Sequence, residues 1–203
     1  MNKWFNGDIR WSNTERLSNR EYHCPFCLNK VSSNTGYGFI VTFEYSDSRI
    51  GSKNGAIYIC PHCQYPTLVI LDFQFPGIPE VKSLDHLPGV IKGIYEEART
   101  CMSNNCYTAA SMLCRKIIMN TAVSEGAKTN LNFFTYVDYL KGKNLFHPKC
   151  ESLLSTIKDK GNEANHEIED VTKNDAKNVL LFTYYLLLYV YEIPGKINAE
   201  IPG

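Results

Sequence analysis

Two C-x-x-C pairs are the strongest chemical signal in the sequence. The stretch HCPFC contains Cys24 and Cys27, CPHC contains Cys60 and Cys63, and 32 residues separate the pairs. Zn²⁺ prefers four soft ligands in a tetrahedron, and each C-x-x-C turn supplies two thiolates. The spacing therefore predicts one zinc ion held by all four cysteines. Because four protein ligands leave no open coordination position, we expect this zinc to be structural.

An alternative interpretation of these cysteines is a pair of redox centres, or four buried thiols. A thioredoxin-like pair would need a βαβ context, whereas the residues between the pairs are strand-like. Two knuckles joined by strands are typical of a zinc ribbon. The remaining cysteines have no metal-ligand spacing, and we expect all four to pack in the fold: Cys101, Cys106, Cys114 and Cys150.

A second candidate site is the polar stretch DKGNEANHEI, residues 159–168. On a helix, Asn162 and His166 are four residues apart and share a face. Two interpretations stay open. The stretch is either half of a site, or a polar helix turn in which Asn162 caps a new helix after Gly161 and His166 bonds to a neighbouring helix.

Short strands are predicted around the cysteine pairs. Residues 37–47, 55–60 and 67–75 are rich in β-branched and aromatic side chains. The segment between the first two is loop-like and contains Asn54-Gly55, which is a hairpin signal. The following PGIPEVKSLDHLPG, residues 76–89, holds three prolines and indicates a connection between two structural units.

Helical periodicity begins after this connection. Apolar residues recur at i, i+3, i+4 and i+7 in the segment from Leu87, with Pro88 in a first-turn position. Four further helices are predicted after this one. The fourth helix in chain order begins near His147 and contains the polar stretch. The last opens with Thr172 three residues before Asp175, close to a capping box, and stops before Pro194.

Composition and charge are those of an ordinary folded protein. The chain has 203 residues, 21 basic and 21 acidic, and 44% hydrophobic residues. Neither half carries the basic excess expected of a protein that binds duplex DNA mainly by neutralising phosphates. The start has no signal-peptide pattern, and the most apolar stretch is too short to span a bilayer. We expect a cytoplasmic protein with no membrane contact.

The segment from about Leu87 to Ile193 resembles the domain of unknown function family 4145, which belongs to the all-α HEPN superfamily. The resemblance depends on YEEARTCMSNNCYTAASMLCRKII and on IKDKGNEANH, which matches a Gly-Asn-x-Ala-x-His signature. In the first motif the matching residues are Tyr95, Ala98, Cys101, Tyr107, Ala109, Ala110, Leu113 and Arg115. A zinc ribbon ahead of this domain is a familiar arrangement.

The resemblance implies candidate catalytic residues. Many HEPN domains are metal-independent ribonucleases in which a histidine and an arginine act across a dimer interface. In this sequence His166 and Asn162 match the signature, but Gly161 stands at the arginine position. Lys158 or Arg115 could supply the missing positive charge, although lysine is not a bidentate clamp.

These observations predict an α+β protein with five segments. They are an N-terminal extension at 1–22 holding Trp4 and Trp11, a zinc ribbon at 23–75, a linker at 76–86, a HEPN-like helical domain at 87–193 and a frayed tail at 194–203.

The function expected from this architecture is that of a binding or regulatory module. We expect a homodimer that contacts nucleic acid or a protein partner, and the resemblance implies an accessory role in a prokaryotic restriction or phage-defence system. The alternative is a toxin-like RNA endonuclease using His166. A second alternative is a structural subunit of a larger complex, which the apolar final helix, FTYYLLLYVY, favours.

Overall fold

A computed structural model describes residues 8–44, 50–153 and 171–200 of the chain. The chain forms two compact units, Met1–Ile78 and Pro79–Gly203. The first unit is a β-sheet and the second is helical. The α+β fold class expected from the sequence is therefore confirmed. The division between the units falls inside the proline-rich segment, residues 76–89.

The N-terminal unit is a five-stranded antiparallel sheet in which each strand pairs with its neighbours in the chain. Its strands are β1 (Glu15–His23), β2 (Lys30–Glu44), β3 (Ile50–Ile59), β4 (Pro66–Ile70) and β5 (Phe73–Phe75). The predicted strands at 37–47 and 55–60 fall largely in β2 and β3, with residues 45–47 outside the described residues. The predicted strand at 67–75 is divided into β4 and β5 by a turn at residues 71–72. Strand β1 was not predicted, because its residues are mostly polar and only Tyr22 among them is buried.

The expected hairpin turn at Asn54-Gly55 is wrong. Both residues lie inside β3, where Asn54 pairs with Ile40 and Gly55 pairs with Phe39. A Cβ built at Gly55 would overlap the ring of Phe39, so the glycine leaves room for an aromatic ring that lies across the strand. The role of Gly55 is to allow this close approach. The sequence alone predicted a turn because a glycine in a turn and a glycine that makes room for a ring are the same residue type.

The C-terminal unit is a bundle of helices. Its described elements are α1 (Gly89–Ser103), α2 (Tyr107–Ser124), α3 (Phe133–Gly142), a 3₁₀ turn (Pro148–Glu151), α4 (Lys173–Leu187), a π-helical turn (Leu188–Glu192) and α5 (Ile193–Glu200). The predicted capping box is confirmed: Thr172 Oγ1 accepts from Asp175 N at 3.2 Å, and Asp175 Oδ2 accepts from Thr172 N at 3.2 Å. The predicted fourth helix begins with the 3₁₀ turn, and the rest of the predicted segment, from residue 154, lies outside the described residues.

The segment before α1 is packed into the helical core. Val81 and Leu84 are buried with the apolar faces of the helices. The hydroxyl of Tyr95 donates to the carbonyl of Lys82 at 2.7 Å, and Nε of the buried Arg99 donates to the carbonyl of Val81 at 2.9 Å. These bonds satisfy the backbone of an irregular segment that would otherwise lose water on burial. The stretch assigned to a linker thus forms part of the second unit from Pro79 on.

A buried carboxylate ties the end of the chain to this segment. Glu192 accepts hydrogen bonds from the backbone N–H groups of Asp85 and His86, both at 2.8 Å, and contacts Lys196 at 3.2 Å. Burial raises the pKa of Glu192, but the two N–H donors and the Lys196 ammonium outweigh it and hold the pKa below its usual range. The carboxylate therefore stays ionised in a site shielded from water.

The residues from Pro194, expected to form a frayed tail, are helical as far as Glu200. A Cβ at Gly195 would overlap the side chain of His86, so α5 passes very close to the segment before α1. Pro194 is the second residue after the π-helical turn, in a helix that runs without a break from α4 to α5. Among the described residues, no helix is both long and apolar enough to cross a membrane.

Candidate metal centre and aromatic face

The four predicted ligands lie together at one end of the sheet. The sulfur atoms of Cys24, Cys27, Cys60 and Cys63 are all within 4.8 Å of one another. The Cys24–Cys63 sulfurs are 3.5 Å apart, and the Cys27–Cys60 sulfurs are 3.8 Å apart. Four sulfurs around one zinc at about 2.3 Å would be about 3.8 Å apart. The observed spacing therefore fits one tetrahedral metal ion.

Each cysteine pair is held by the same tight turn. Leu28 N donates to the carbonyl of Cys24, and Gln64 N donates to the carbonyl of Cys60, both at 2.9 Å. Leu28 and Gln64 also share a left-handed backbone, with φ of 60° and 63°. Two copies of one local turn thus bring two sulfurs each from the β1–β2 and β3–β4 connections, as a zinc knuckle requires.

The electrostatics of the cluster suit a bound cation. Burial raises the pKa of the Cys24 thiol, and burial also raises that of Cys63 to about 11. Burial raises the pKa of Cys27 as well, but a backbone N–H and its neighbouring thiols outweigh it, and the net pKa lies below the usual value. The backbone N–H of His62 points at the sulfur of Cys60 at 3.4 Å. Without a cation, the crowded thiols cannot all ionise together.

The metal site completes a very small core. Cys24 and Cys60 are fully buried, and they pack with Tyr22, Val31, Ala56, Tyr58 and Val69. Trp11 lies beside the second knuckle: its Nε1 donates to the carbonyl of Gln64 at 2.8 Å. Trp11 therefore packs the N-terminal extension against the sheet. Trp4 lies outside the described residues.

The other cysteines form no metal cluster in the described part of the chain. Cys114 is buried in the helical core, and Cys101 and Cys150 are half-buried against it. The packing role expected of Cys106 is wrong, because this residue is exposed at the N-terminal end of α2. Cys106 stands just before α2, so the apolar periodicity of that helix does not predict its burial.

The polar candidate site falls mostly outside the described residues. Lys158, Gly161, Asn162 and His166 all lie in residues 154–170, and their predicted roles stay predictions. Arg115 is described. It lies on α2 with its guanidinium 4.6 Å from the ring centre of Phe133 at the start of α3, which is a cation–π contact.

One surface was missed by the sequence analysis. Strand pairing places Tyr37, Ile57, Leu68 and Phe75 in one row across β2 to β5, and Phe39, Gly55, Ile70 and Phe73 in the next row. Paired residues of adjacent strands point to the same side of a sheet. We call these two rows the aromatic face. Phe73 is 78% exposed and Phe75 is 55% exposed.

Two positive charges flank the aromatic face. Arg16 pairs with Thr35, one row before Tyr37, and Lys53 pairs with Val41, one row after Phe39. The strand rise of about 3.4 Å per residue places these rows about 20 Å apart. None of the residues in these four rows is acidic. The alternation of aromatic residues along β2 and β5 was a signal for this face, but only the register aligns the rows.

The fold and the site define an α+β protein with four clustered thiols in its sheet that could hold a metal ion, and with a helical second unit. Residues 96–202 match the family model described as Domain of unknown function (DUF4145). The match covers just over half of the chain, and the chain belongs to this family. No curated protein and no solved structure gave a significant match to the chain.

Proposed function

We propose that the metal held by the four cysteines is zinc and that it has a structural role. The sulfur spacing and the two equivalent turns support tetrahedral binding. Four thiolates fill the coordination shell, so no position remains for a substrate or a reactive water. The metal would stabilise the sheet, and the chemistry of this unit would then lie on its surfaces.

We propose that the protein is a binding module whose aromatic face takes single-stranded nucleic acid. The observation that carries this proposal is the aromatic face, on which Phe73 and Phe75 are exposed and no acidic residue lies in the rows, flanked by Arg16 and Lys53. Bases stack on exposed rings with about 1–3 kcal/mol per base, and flanking cations attract the phosphates. Duplex DNA fits less well, because its bases are already stacked and the chain carries no net positive charge.

Fluorescence anisotropy with labelled twelve-nucleotide oligo(dT) and oligo(U) tests this proposal. The wild type is expected to bind more weakly as salt rises, with a slope of about −0.7 per contacted phosphate. Replacing both phenylalanines, Phe73→Ser with Phe75→Ser, should weaken binding at least tenfold, since each lost stack costs about 1–3 kcal/mol. Lys53→Gln should reduce the salt slope by about 0.7.

The matched control for the phenylalanine variant is Ile50→Ser. Ile50 is as exposed as Phe73, but its pairing with Glu44 places it on the opposite side of the sheet. The control should bind as the wild type does. Equal binding by the phenylalanine variant, or no binding by the wild type at low salt, would overturn the proposal.

We also propose that the helical unit associates with a second copy or with a protein partner. Tyr185, Tyr189, Ile193 and Ile197 are exposed at intervals of four residues along α4, the π-helical turn and α5. Residues four apart on an α-helix are rotated slightly past a full turn, so a series at this interval gradually leaves one face. A π-helical turn rotates the chain less per residue, which compensates for this excess and keeps the four residues on one face. Exposed apolar stripes of this kind favour association. A homodimer acting in a restriction or phage-defence system is the form that we propose.

A further inference from the structure

Strand β2 extends beyond its partner β1. Pairing between β1 and β2 ends at Glu15 with Gly36, whereas pairing between β2 and β3 continues to Glu44 with Ile50. Among the described residues, no strand pairs with β2 from Tyr37 onward on the side away from β3, so this side is a sheet edge. This edge holds β-branched and aromatic residues, and it contains none of the lysines or prolines with which proteins commonly protect sheet edges.

The backbone groups of this edge point outward at alternate residues. The side chain of Glu15 accepts the N–H of Gly38, so this N–H faces away from β3. Because N–H directions alternate along a strand, the N–H and C=O groups of Ile40 and Thr42 face the same way. The Glu15 carboxylate stands where the carbonyl of a neighbouring strand would stand. Ile40 is 69% exposed beside these groups.

A cleft opens along the same edge. Strand β1 has a register shift between Arg16 and Arg20, which carries Leu17 and Ser18 out over the sheet. The cleft beneath has a volume of about 460 Å³, and Leu17, Gly38, Ile40, Ala56 and Val69 are among its lining residues. The buried Ala56 and Val69 lie in this lining beside the polar Glu15, Ser18, Arg20 and Asn54, and the volume leaves room for one large side chain.

We propose that the edge of β2 binds an extended peptide of a partner protein, which adds a strand to the sheet and places one large apolar side chain in the cleft. The edge offers donors and acceptors at every second residue, which only another extended backbone can pair in series. A second copy of β2 fits less well. Antiparallel pairing about Ile40 would bring Thr42 of one copy opposite Gly38 of the other and leave the cleft unfilled.

This inference does not depend on the nucleic-acid proposal. The side chains of Ile40, Ala56 and Val69, which line the cleft, lie on the side of the sheet opposite the aromatic face, since strand residues alternate between the two sides. The nucleic-acid proposal and the peptide proposal can therefore be refuted independently of each other. Variants that damage one surface serve as controls for the other.

A random nine-residue peptide library displayed on phage, selected on the full-length zinc-loaded protein, tests the proposal. Selected peptides should contain alternating β-branched residues and one large apolar residue. Bound to the protein, the synthetic peptides should slow amide hydrogen exchange at Ile40 and Thr42 at least tenfold. Ile40→Pro removes an outward N–H without disturbing the pairing with β3, and it should weaken binding at least tenfold.

A second variant and a control complete the test. Asn54→Trp, at an exposed residue of the cleft wall, should block the cleft and weaken binding while the edge itself stays intact. Phe73→Ser should bind the peptides as the wild type does. The proposal is overturned if no peptide is selected, if both cleft variants bind normally, or if amide protection appears elsewhere. It is also overturned if the edge instead pairs two copies of the chain, which sedimentation of wild type and Ile40→Pro would reveal.

Discussion

Removal of one metal ligand should unfold the sheet and leave the helical unit folded. Cys60→Ser is the sharpest perturbation, because Cys60 is fully buried, accepts a backbone N–H from His62 and belongs to the small core of the sheet. Serine offers a poor ligand for zinc and a hydroxyl that needs its own hydrogen-bond partner. The two units have separate cores, so the damage should stay in the first.

The expected magnitude follows from the size of that core. Among the described residues, seven buried side chains form the core cluster of the sheet, and two of them are the proposed ligands Cys24 and Cys60. Structural zinc contributes about 10–16 kcal/mol of apparent binding free energy at neutral pH. A whole domain is stable by only about 5–15 kcal/mol. We therefore expect the sheet to unfold without the metal. Loss of one ligand should weaken zinc binding by more than the 10- to 100-fold that is lost when a residue hydrogen-bonded to a ligand is replaced.

Trp11 is a built-in reporter for this experiment, since its indole N–H donates to Gln64 next to Cys63. In a Trp4→Phe background, Cys60→Ser or zinc removal by a chelator should shift the emission of Trp11 to longer wavelength. Circular dichroism at 222 nm should keep most of its helical signal. Zinc released on denaturation should equal one ion per chain in the parent and far less in the variant.

Cys106→Ser is the matched control, because this thiol is exposed and distant in sequence from the knuckles. It should keep one zinc and the parental emission. A Cys60→Ser protein that retains the parental emission spectrum without bound metal would refute the reasoning. So would a parent protein whose sheet unfolds at the same denaturant concentration with and without zinc.

Three further outcomes are expected. Glu192→Gln should destabilise the helical unit by about 1–2 kcal/mol at pH 7, measured by urea unfolding. Since the folded pKa of Glu192 is depressed, its contribution is present above the unfolded pKa of about 4.3 and is lost as pH falls through the folded value, so variant and wild type should converge in acid. Thr172→Ala should cost about 1 kcal/mol by removing the capping box, whereas Lys173→Ala should be nearly neutral. Tyr189→Glu should shift the protein from dimer to monomer in light scattering.

Each of these has a contrary result. A Glu192→Gln effect that is unchanged at pH 3 would show that charge is not the cause. Equal unfolding midpoints for Thr172→Ala and Lys173→Ala would remove the role of the cap. A dimer that persists in Tyr189→Glu, or a wild type that is monomeric at all concentrations, would place association elsewhere or exclude it.

Sequence and structure contribute differently to the two sites. The metal centre is encoded locally, because each C-x-x-C turn brings two sulfurs together whatever the rest of the chain does. The capping box of α4 is equally local and was also predicted. The aromatic face depends on the pairing of four strands, and a shift of one residue would move its side chains to the other side. No local pattern specifies that register.

The sequence alone determined the ligands of the metal, the α+β class and most of the helices, since these depend on residue type and on short-range spacing. Only the tertiary structure decided where Glu192 acts, because its partners Asp85 and His86 are 107 and 106 residues away. The same holds for Gly55. The sequence predicted a turn at this residue, whereas in the structure it lies in β3 against the ring of Phe39. Long-range contacts outweigh local propensity at such positions, since burial and hydrogen bonding there contribute more free energy than the intrinsic preference of one residue.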